Sequence, residues 1–82
     1  MIKKTMQTIN IFKSKKVIKG EDCATADQIK YLKKLCYNRD VDFPFDSMQQ
    51  TKAHLKKYEA SRAIKELLAG NTIEFIYPIT ME

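Results

Sequence analysis

Two apolar stripes at helical spacing are the feature that most constrains the fold of this chain. The first stripe, in residues 24–38, consists of Ile29, Leu32, Leu35 and Cys36. The second, in a helix from about Lys57, consists of Ala60, Ala63, Ile64, Leu67 and Leu68. Apolar residues at this spacing fall on one face of an α-helix. Because a backward extension of the second stripe leaves Leu55 on the opposite face, the pattern predicts a helix break near residues 55–57.

Capping signals predict where the helices begin and end. Thr25 and Gln28 have the spacing of a capping box for the first helix. Ser47 and Gln50 have the same spacing and predict a short second helix. Gly70 is the residue type that commonly lies just past a helix end, so it is expected to end the third.

Segments rich in strand-forming residues flank the helices on both sides. Residues 6–12 alternate in part between apolar and polar side chains, and residues 72–77 are rich in strand formers. We expect one α+β domain in which three helices pack on a small antiparallel sheet formed by the N- and C-terminal segments. The expected organisation is a single domain, 1–82, with a basic strand or hairpin in 1–20, a helical module in 24–69 and a strand in 72–79.

The positive charge is concentrated at the N-terminus. The chain has a net charge of +5. Residues 1–20 contain six lysines and no acid, whereas the other 62 residues contain nine bases and ten acids. Such an excess attracts nucleic acid, an anionic surface or an acidic protein, and it also improves the solubility of a small domain.

Several chemistries have no candidate residues. With glycine only at Gly20 and Gly70, the sequence has no phosphate-cradling glycine loop. The single histidine, His54, has no ligand-type residue at helical spacing, and Cys23 and Cys36 match no zinc or redox motif and are expected to be free thiols. We therefore expect no catalytic residues, no metal, no cofactor and no small-molecule substrate. No apolar run approaches the roughly 20 residues of a membrane span, which favours the cytoplasm.

Tyrosines beside basic residues on the helices are the positive functional signal. Single-stranded nucleic acid is bound by stacking bases on aromatic rings while cations follow the phosphates. A solvated helix face on which lysine stems lie against tyrosine rings gives the same pattern. The candidate nucleic-acid or partner-binding residues are Lys13, Lys15, Lys16, Lys19, Lys30, Lys33, Lys34, Tyr37, Tyr58, Arg62 and Lys65.

Residues 24–69 resemble a small uncharacterised helical module of bacterial and phage proteins. The matching residues are Ala24, Thr25, Gln28, Ile29, Tyr31, Leu32, Leu35 and Cys36, followed by Leu55, Lys57, Glu59, Ala60, Ser61, Arg62, Ile64, Leu67 and Leu68. The module is similar to tail segments of phage single-strand annealing proteins and, in outline, to helix-extension-helix DNA-binding modules. Lys56 lies where that module has a threonine cap.

Together these features predict a small phage or mobile-element accessory protein in the cytoplasm of a bacterial host. The leading hypothesis is binding of nucleic acid, with a single strand favoured and no membrane partner. The alternative is a protein–protein module that docks on an acidic partner. That partner would be a host or phage replication, recombination or defence protein, which the module modulates or inhibits.

Overall fold

The computed structural model describes residues 6–77 of the chain. In chain order its elements are β1 (Thr8–Phe12), a single 3-10 turn (Gly20–Asp22), α1 (Ala26–Asn38), α2 (Met48–His54), α3 (Lys57–Leu68) and β2 (Thr72–Ile76). The described residues thus contain three α-helices and a two-stranded sheet. The predicted α+β class and the three helices are confirmed.

The two strands are parallel, so the predicted antiparallel sheet is wrong. Thr8 pairs with Thr72 and Phe12 pairs with Ile76. Backbone hydrogen bonds extend the pairing at both ends, from the Thr72 N–H to the Gln7 carbonyl (2.9 Å) and from the Lys13 N–H to the Ile76 carbonyl (2.7 Å). Parallel strands need a long crossover connection, and the three helices supply it by returning the chain to the end of the sheet where β1 begins. Strand propensity alone carries no information on this direction.

The hairpin predicted within residues 1–20 is absent from residues 6–20. β1 pairs with β2 instead, and the chain after β1 runs to α2, where the Ile18 N–H donates to the Ala53 carbonyl over 2.8 Å. Residues 1–5 of that predicted segment lie outside the described residues. Residues 78 and 79 of the predicted C-terminal strand do so too.

The predicted helix starts are confirmed by the caps. The Thr25 hydroxyl accepts the Gln28 N–H and the Gln28 side chain accepts the Thr25 N–H, a complete capping box. Ser47 caps α2 by accepting the Gln50 N–H. The Gln50 side-chain oxygen accepts the N–H of Asp46 rather than that of Ser47, so this cap is not a complete capping box. The predicted break is also present, since residues 55 and 56 are extended and α3 begins at residue 57.

The helices α1 and α3 pack side by side and start together. The Ala24 N–H donates to the Leu55 carbonyl (3.2 Å), and Cys23 and Lys56 form an isolated bridge, so the two helix N-termini are neighbours. Both apolar stripes face the core except at Leu68, which is 58% exposed. The predicted inward position of Leu68 is wrong because it is the last residue of α3, where the chain turns away towards β2.

An aromatic cluster closes the core beside β2. The rings of Phe43 and Phe45, from the loop between α1 and α2, meet the ring of Phe75 edge-on, with centroids 5.8 and 5.7 Å from that of Phe75 and 5.3 Å from each other. Such edge-to-face geometry is favourable for aromatic rings. The loop therefore packs against the inner face of β2.

Candidate functional site

Two lysines lie over a tyrosine ring at one end of the sheet. The Lys13 Nζ is 4.2 Å from the centroid of the Tyr77 ring, and the Lys15 Nζ is 5.7 Å from it. Both distances are within the range of a cation–π contact. Tyr77 is 49% exposed.

The parallel register explains this meeting of residues from opposite ends of the chain. Phe12 pairs with Ile76, so Lys13 and Tyr77 follow at the same level of the two strands. Side chains alternate between the faces of a strand, which places Tyr77 on the same face as Phe75. The contact between Lys13 and Tyr77 is a direct consequence of the strand direction.

A set of hydrogen bonds fixes the turn that carries the next lysines. The N–H of the buried Ser14 donates to the His54 carbonyl (2.9 Å), and the Ser14 hydroxyl donates to the Lys16 carbonyl (2.7 Å). The Nδ1 of His54 lies 2.8 Å from the Ser14 carbonyl oxygen. Because a carbonyl oxygen only accepts hydrogen bonds, His54 donates in this contact when Nδ1 carries a hydrogen. This anchoring of Ser14 leaves the side chains of Lys15 and Lys16 exposed.

Lys19 follows in a segment held against α2 and the start of α1. The Ile18 N–H donates to the Ala53 carbonyl, and the Cys23 thiol lies 3.2 Å from the Ile18 carbonyl. Lys19 itself is exposed. We call the surface formed by Lys13, Lys15, Lys16, Lys19 and Tyr77 the basic corner.

Within residues 6–77, no ion pair neutralises the charge of the basic corner. Within residues 6–77 the structure contains a single ion pair, between Arg62 and Glu59 at 3.9 Å. Two carboxylates come near one side of the corner: Asp42 and Glu74 line a groove of about 290 Å³ together with Lys13. The remaining lysines of the corner face solvent and are positioned to attract an anion.

The α1 residues form a second, separate basic surface. Lys30, Lys33 and Lys34 are exposed on one side of α1, and Tyr37 in its last turn is 85% exposed. Lys30 and Lys33 border a small cavity of about 180 Å³ against Phe43 and Phe45. Tyr37 instead borders a groove with Asp40 and Asp42, so carboxylates rather than lysines are its nearest charged neighbours there.

The α3 residues do not form one site. Arg62 donates to the Asn10 carbonyl (3.1 Å) and pairs with Glu59, so its guanidinium is committed to β1. Tyr58, 71% exposed, lines a groove of about 550 Å³ whose charged residues are Glu21, Asp22, Lys56 and Lys57. Lys65 is exposed further along the helix. Because α1 and α3 start together, Tyr58 at the start of α3 and Tyr37 at the end of α1 lie at opposite ends of the helix pair.

Tyr77 is the candidate functional residue that sequence reasoning missed. Along a helix, spacing alone fixes which tyrosines and lysines are neighbours, whereas Tyr77 meets Lys13 across 64 positions of sequence. The available signal was the alternation of Ile73, Phe75 and Tyr77 in a strand, which becomes informative only when the partner strand and its direction are known.

The cysteines are both free thiols. Cys36 is completely buried on the apolar side of α1, as expected, and Cys23 is half-buried. Burial raises the pKa of the Cys36 thiol from 9.0 to about 11, so this thiol stays protonated at neutral pH.

The described residues contain neither a metal-binding cluster nor a membrane-spanning helix. Residues 6–77 contain no group of three or more His, Cys, Asp or Glu side chains arranged to hold a metal ion. None of the helices in that part of the chain has the length and apolarity needed to cross a membrane.

Comparisons with protein-family models, curated proteins and solved structures found no match. The resemblance of residues 24–69 to a bacterial and phage module stays a prediction.

Proposed function

We propose that this protein binds single-stranded nucleic acid at the basic corner, as a binding protein without catalytic activity or cofactor. The observation that carries the proposal is the placement of the Lys13 and Lys15 ammonium groups over the half-exposed Tyr77 ring. An exposed aromatic ring with cations beside it is the unit that non-specific single-strand binding proteins use.

The lysines supply the sequence-independent part of the binding. Lys15, Lys16 and Lys19 are exposed, and no carboxylate among residues 6–77 forms an ion pair with them. Each phosphate that they contact releases condensed counterions, so affinity falls as salt concentration rises. This contribution acts on single and double strands alike.

Tyr77 supplies the preference for a single strand. A base stacks on an aromatic ring only when its own face is free, which excludes paired bases in a duplex. The lysine ammonium groups beside Tyr77 would hold the phosphate of the same nucleotide. Stacking of this kind contributes about 1–3 kcal/mol per base.

The biological setting is a further part of the proposal. The resemblance of residues 24–69 to a phage and bacterial module suggests a small accessory protein of a phage or mobile element, acting in the cytoplasm of a bacterial host. The excess of lysine over arginine, thirteen to two, fits an AT-rich genome of this kind.

The test is fluorescence anisotropy with labelled single-stranded and duplex oligonucleotides over a salt series. The wild-type protein is compared with a variant in which Lys13, Lys15, Lys16 and Lys19 are changed to Gln. A charge-matched control has Lys30, Lys33, Lys34 and Lys65 changed to Gln. We expect the first variant to bind more weakly and to lose about 0.7 from the salt slope per lost contact on a single strand. The control should keep a slope close to that of the wild type.

Two outcomes contradict the proposal. If the wild-type protein binds neither strand at low salt, the nucleic-acid function is wrong, and docking on an acidic protein through the same lysines becomes the function to pursue. If only the control variant loses affinity, nucleic acid binds at the α1 surface instead of the basic corner.

A further inference from the structure

A small apolar cavity opens between α1, α2 and the loop that connects them. The buried residues Ile29, Phe45 and Thr51 form its floor, and the half-buried Phe43 and Met48 form its walls. The cavity has a volume of about 180 Å³. Protein interiors are close-packed and leave few voids larger than a water molecule, and apolar cavities take up apolar groups. An unfilled cavity of this kind is therefore suited to an apolar ligand group.

Two lysines lie at the mouth of this cavity. Lys30 and Lys33 line it together with Ser47, and all three residues are exposed. Because Lys30 and Lys33 are three positions apart on α1, their side chains are neighbours on the helix surface. Neither lysine forms an ion pair among residues 6–77. Asp27 and Asp46, the acids nearest to these residues in sequence, do not line the cavity, so its mouth attracts carboxylates from outside.

The floor of the cavity offers no unpaired polar side chain to a ligand. The Thr51 hydroxyl donates to the Ser47 carbonyl over 2.7 Å. In the described part of the chain, every buried side-chain nitrogen or oxygen has a hydrogen-bond partner. A nucleobase has donors and acceptors along its edge, which would lose water in this cavity without gaining partners. An aliphatic or aromatic side chain has no such groups, so the cavity favours a side chain over a base.

The size of the cavity fits one side chain of a peptide. Sites for small molecules usually measure about 300–1,000 Å³, which is more than the 180 Å³ found here. A fatty acid would also bring one carboxylate to two lysines. A peptide segment supplies an apolar side chain and several carboxylates together.

We propose that this face of α1 and α2 binds an acidic peptide segment of a partner protein. One leucine, methionine or phenylalanine side chain of that segment fills the cavity, and its neighbouring Asp or Glu carboxylates pair with Lys30 and Lys33. A buried apolar anchor surrounded by polar contacts is the usual arrangement at the centre of a protein interface. Lys34 is exposed on the same side of α1 and extends the positive surface. The site shares no residue with the basic corner, so the inference does not rest on nucleic-acid binding.

The test is an NMR titration of the isotope-labelled protein with the peptides acetyl-Asp-Glu-X-Glu-Asp-amide at physiological salt, where X is leucine, methionine, phenylalanine or serine. We expect at least one apolar peptide to shift the amide signals of Ile29, Met48 and Thr51. The serine peptide should bind more than about tenfold more weakly, because it lacks the buried anchor. If no apolar peptide shifts these signals at millimolar concentration, or if the serine peptide binds equally well, the proposal is wrong.

Charge reversal tests the two lysines at the mouth. The double variant Lys30→Glu, Lys33→Glu should bind the apolar peptide about tenfold more weakly than the wild type. The matched control is Lys57→Glu, Lys65→Glu, which makes the same change of charge at exposed positions of α3. Because exposed charges are screened over distance, the control should bind within about threefold of the wild type. An equal loss in the two double variants contradicts the proposed site.

Further measurements distinguish the other possible occupants. The variant with the four lysines of the basic corner changed to Gln should bind the peptide within about threefold of the wild type. A tenfold loss there would place the peptide at the basic corner. Displacement of the peptide from this variant by single-stranded oligothymidine would assign the α1 face to nucleic acid. The same amide shifts on raising the protein concentration alone would assign it to a second copy. Each of these three results overturns the proposal, whereas peptide binding without nucleic-acid binding contradicts only the proposed function.

Discussion

The Glu59 carboxylate accepts a hydrogen bond from the backbone N–H of Phe12 at 3.1 Å and so ties the first turn of α3 to the outer edge of β1. Glu59 is 8% exposed, and Arg62 at 3.9 Å balances its charge while donating to the Asn10 carbonyl. One helix thereby supplies both the donor and the acceptor that a third strand would otherwise provide. This arrangement blocks the outer edge of β1.

Removal of the Glu59 carboxylate should destabilise the domain. The Glu59→Ala variant leaves the Phe12 N–H without its acceptor and Arg62 without its counter-charge, at a cost of about 1–3 kcal/mol in the free energy of unfolding. Urea denaturation measures this loss. The control is Glu21→Ala at an exposed position, which should change stability by no more than about 0.5 kcal/mol. Equal stability of the two variants would show that the contact contributes nothing.

The two fully buried leucines of the paired helices test the assignment of the core. Leu32 and Leu67 are both 0% exposed, whereas Leu68, the neighbour of Leu67, is 58% exposed. Changing either buried leucine to Ala should lower stability by about 2–5 kcal/mol, which in a domain of this size can prevent folding. Leu68→Ala should unfold close to the wild type in a thermal melt followed by circular dichroism. A larger loss for Leu68→Ala than for Leu67→Ala would reverse the assigned helix face.

Burial of Cys36 predicts a pH dependence of stability in the alkaline range. Its thiol pKa is about 11 in the folded protein against 9.0 when exposed. Between these values the unfolded chain has released the proton and the folded chain still holds it, so the unfolded state binds fewer protons and stability falls as pH rises. The free energy of unfolding should drop by up to about 2–3 kcal/mol from pH 9 to pH 11 through this group.

A cysteine variant isolates that effect. Denaturation at several pH values should give a shallower decline for Cys36→Ala, which lacks the buried thiol, although its overall stability is lower. Identical slopes for the wild type and Cys36→Ala would show that the buried thiol does not produce the dependence.

Features that depend on neighbouring residues were predictable from the sequence. The capping box of Thr25 and Gln28 spans three positions, and the break at residue 55 follows from the position of Leu55 opposite the face of the α3 stripe. Both are set by local helix geometry, which fixes the relation between spacing and contact. The α3 stripe wrongly predicted that Leu68 faces the core. The reason is that helical periodicity does not determine where a helix ends.

Features that depend on distant pairing were not predictable. The strand segments were recognised, but their direction is set by the path of the three helices between them. The position of Tyr77 beside Lys13 follows from that direction, and the hydrogen bonds between Ser14 and His54 join residues 40 positions apart. Arg62 was predicted to be a binding residue because it lies beside other basic residues on a helix. In the structure it donates to the Asn10 carbonyl and so blocks the outer edge of β1.

The proposed single-strand binding at the basic corner depends most directly on Tyr77, and a comparison of tyrosine variants tests it. Tyr77→Leu removes the stacking surface but keeps the backbone N–H and the apolar bulk at the end of β2. We expect it to weaken single-strand binding by about 1–3 kcal/mol, roughly 5- to 150-fold, with the salt slope nearly unchanged. Tyr37→Leu, at the more exposed but separate position, should bind within about twofold of the wild type. Wild-type affinity in Tyr77→Leu, or a larger loss in Tyr37→Leu, would contradict the placement of the binding site at the basic corner.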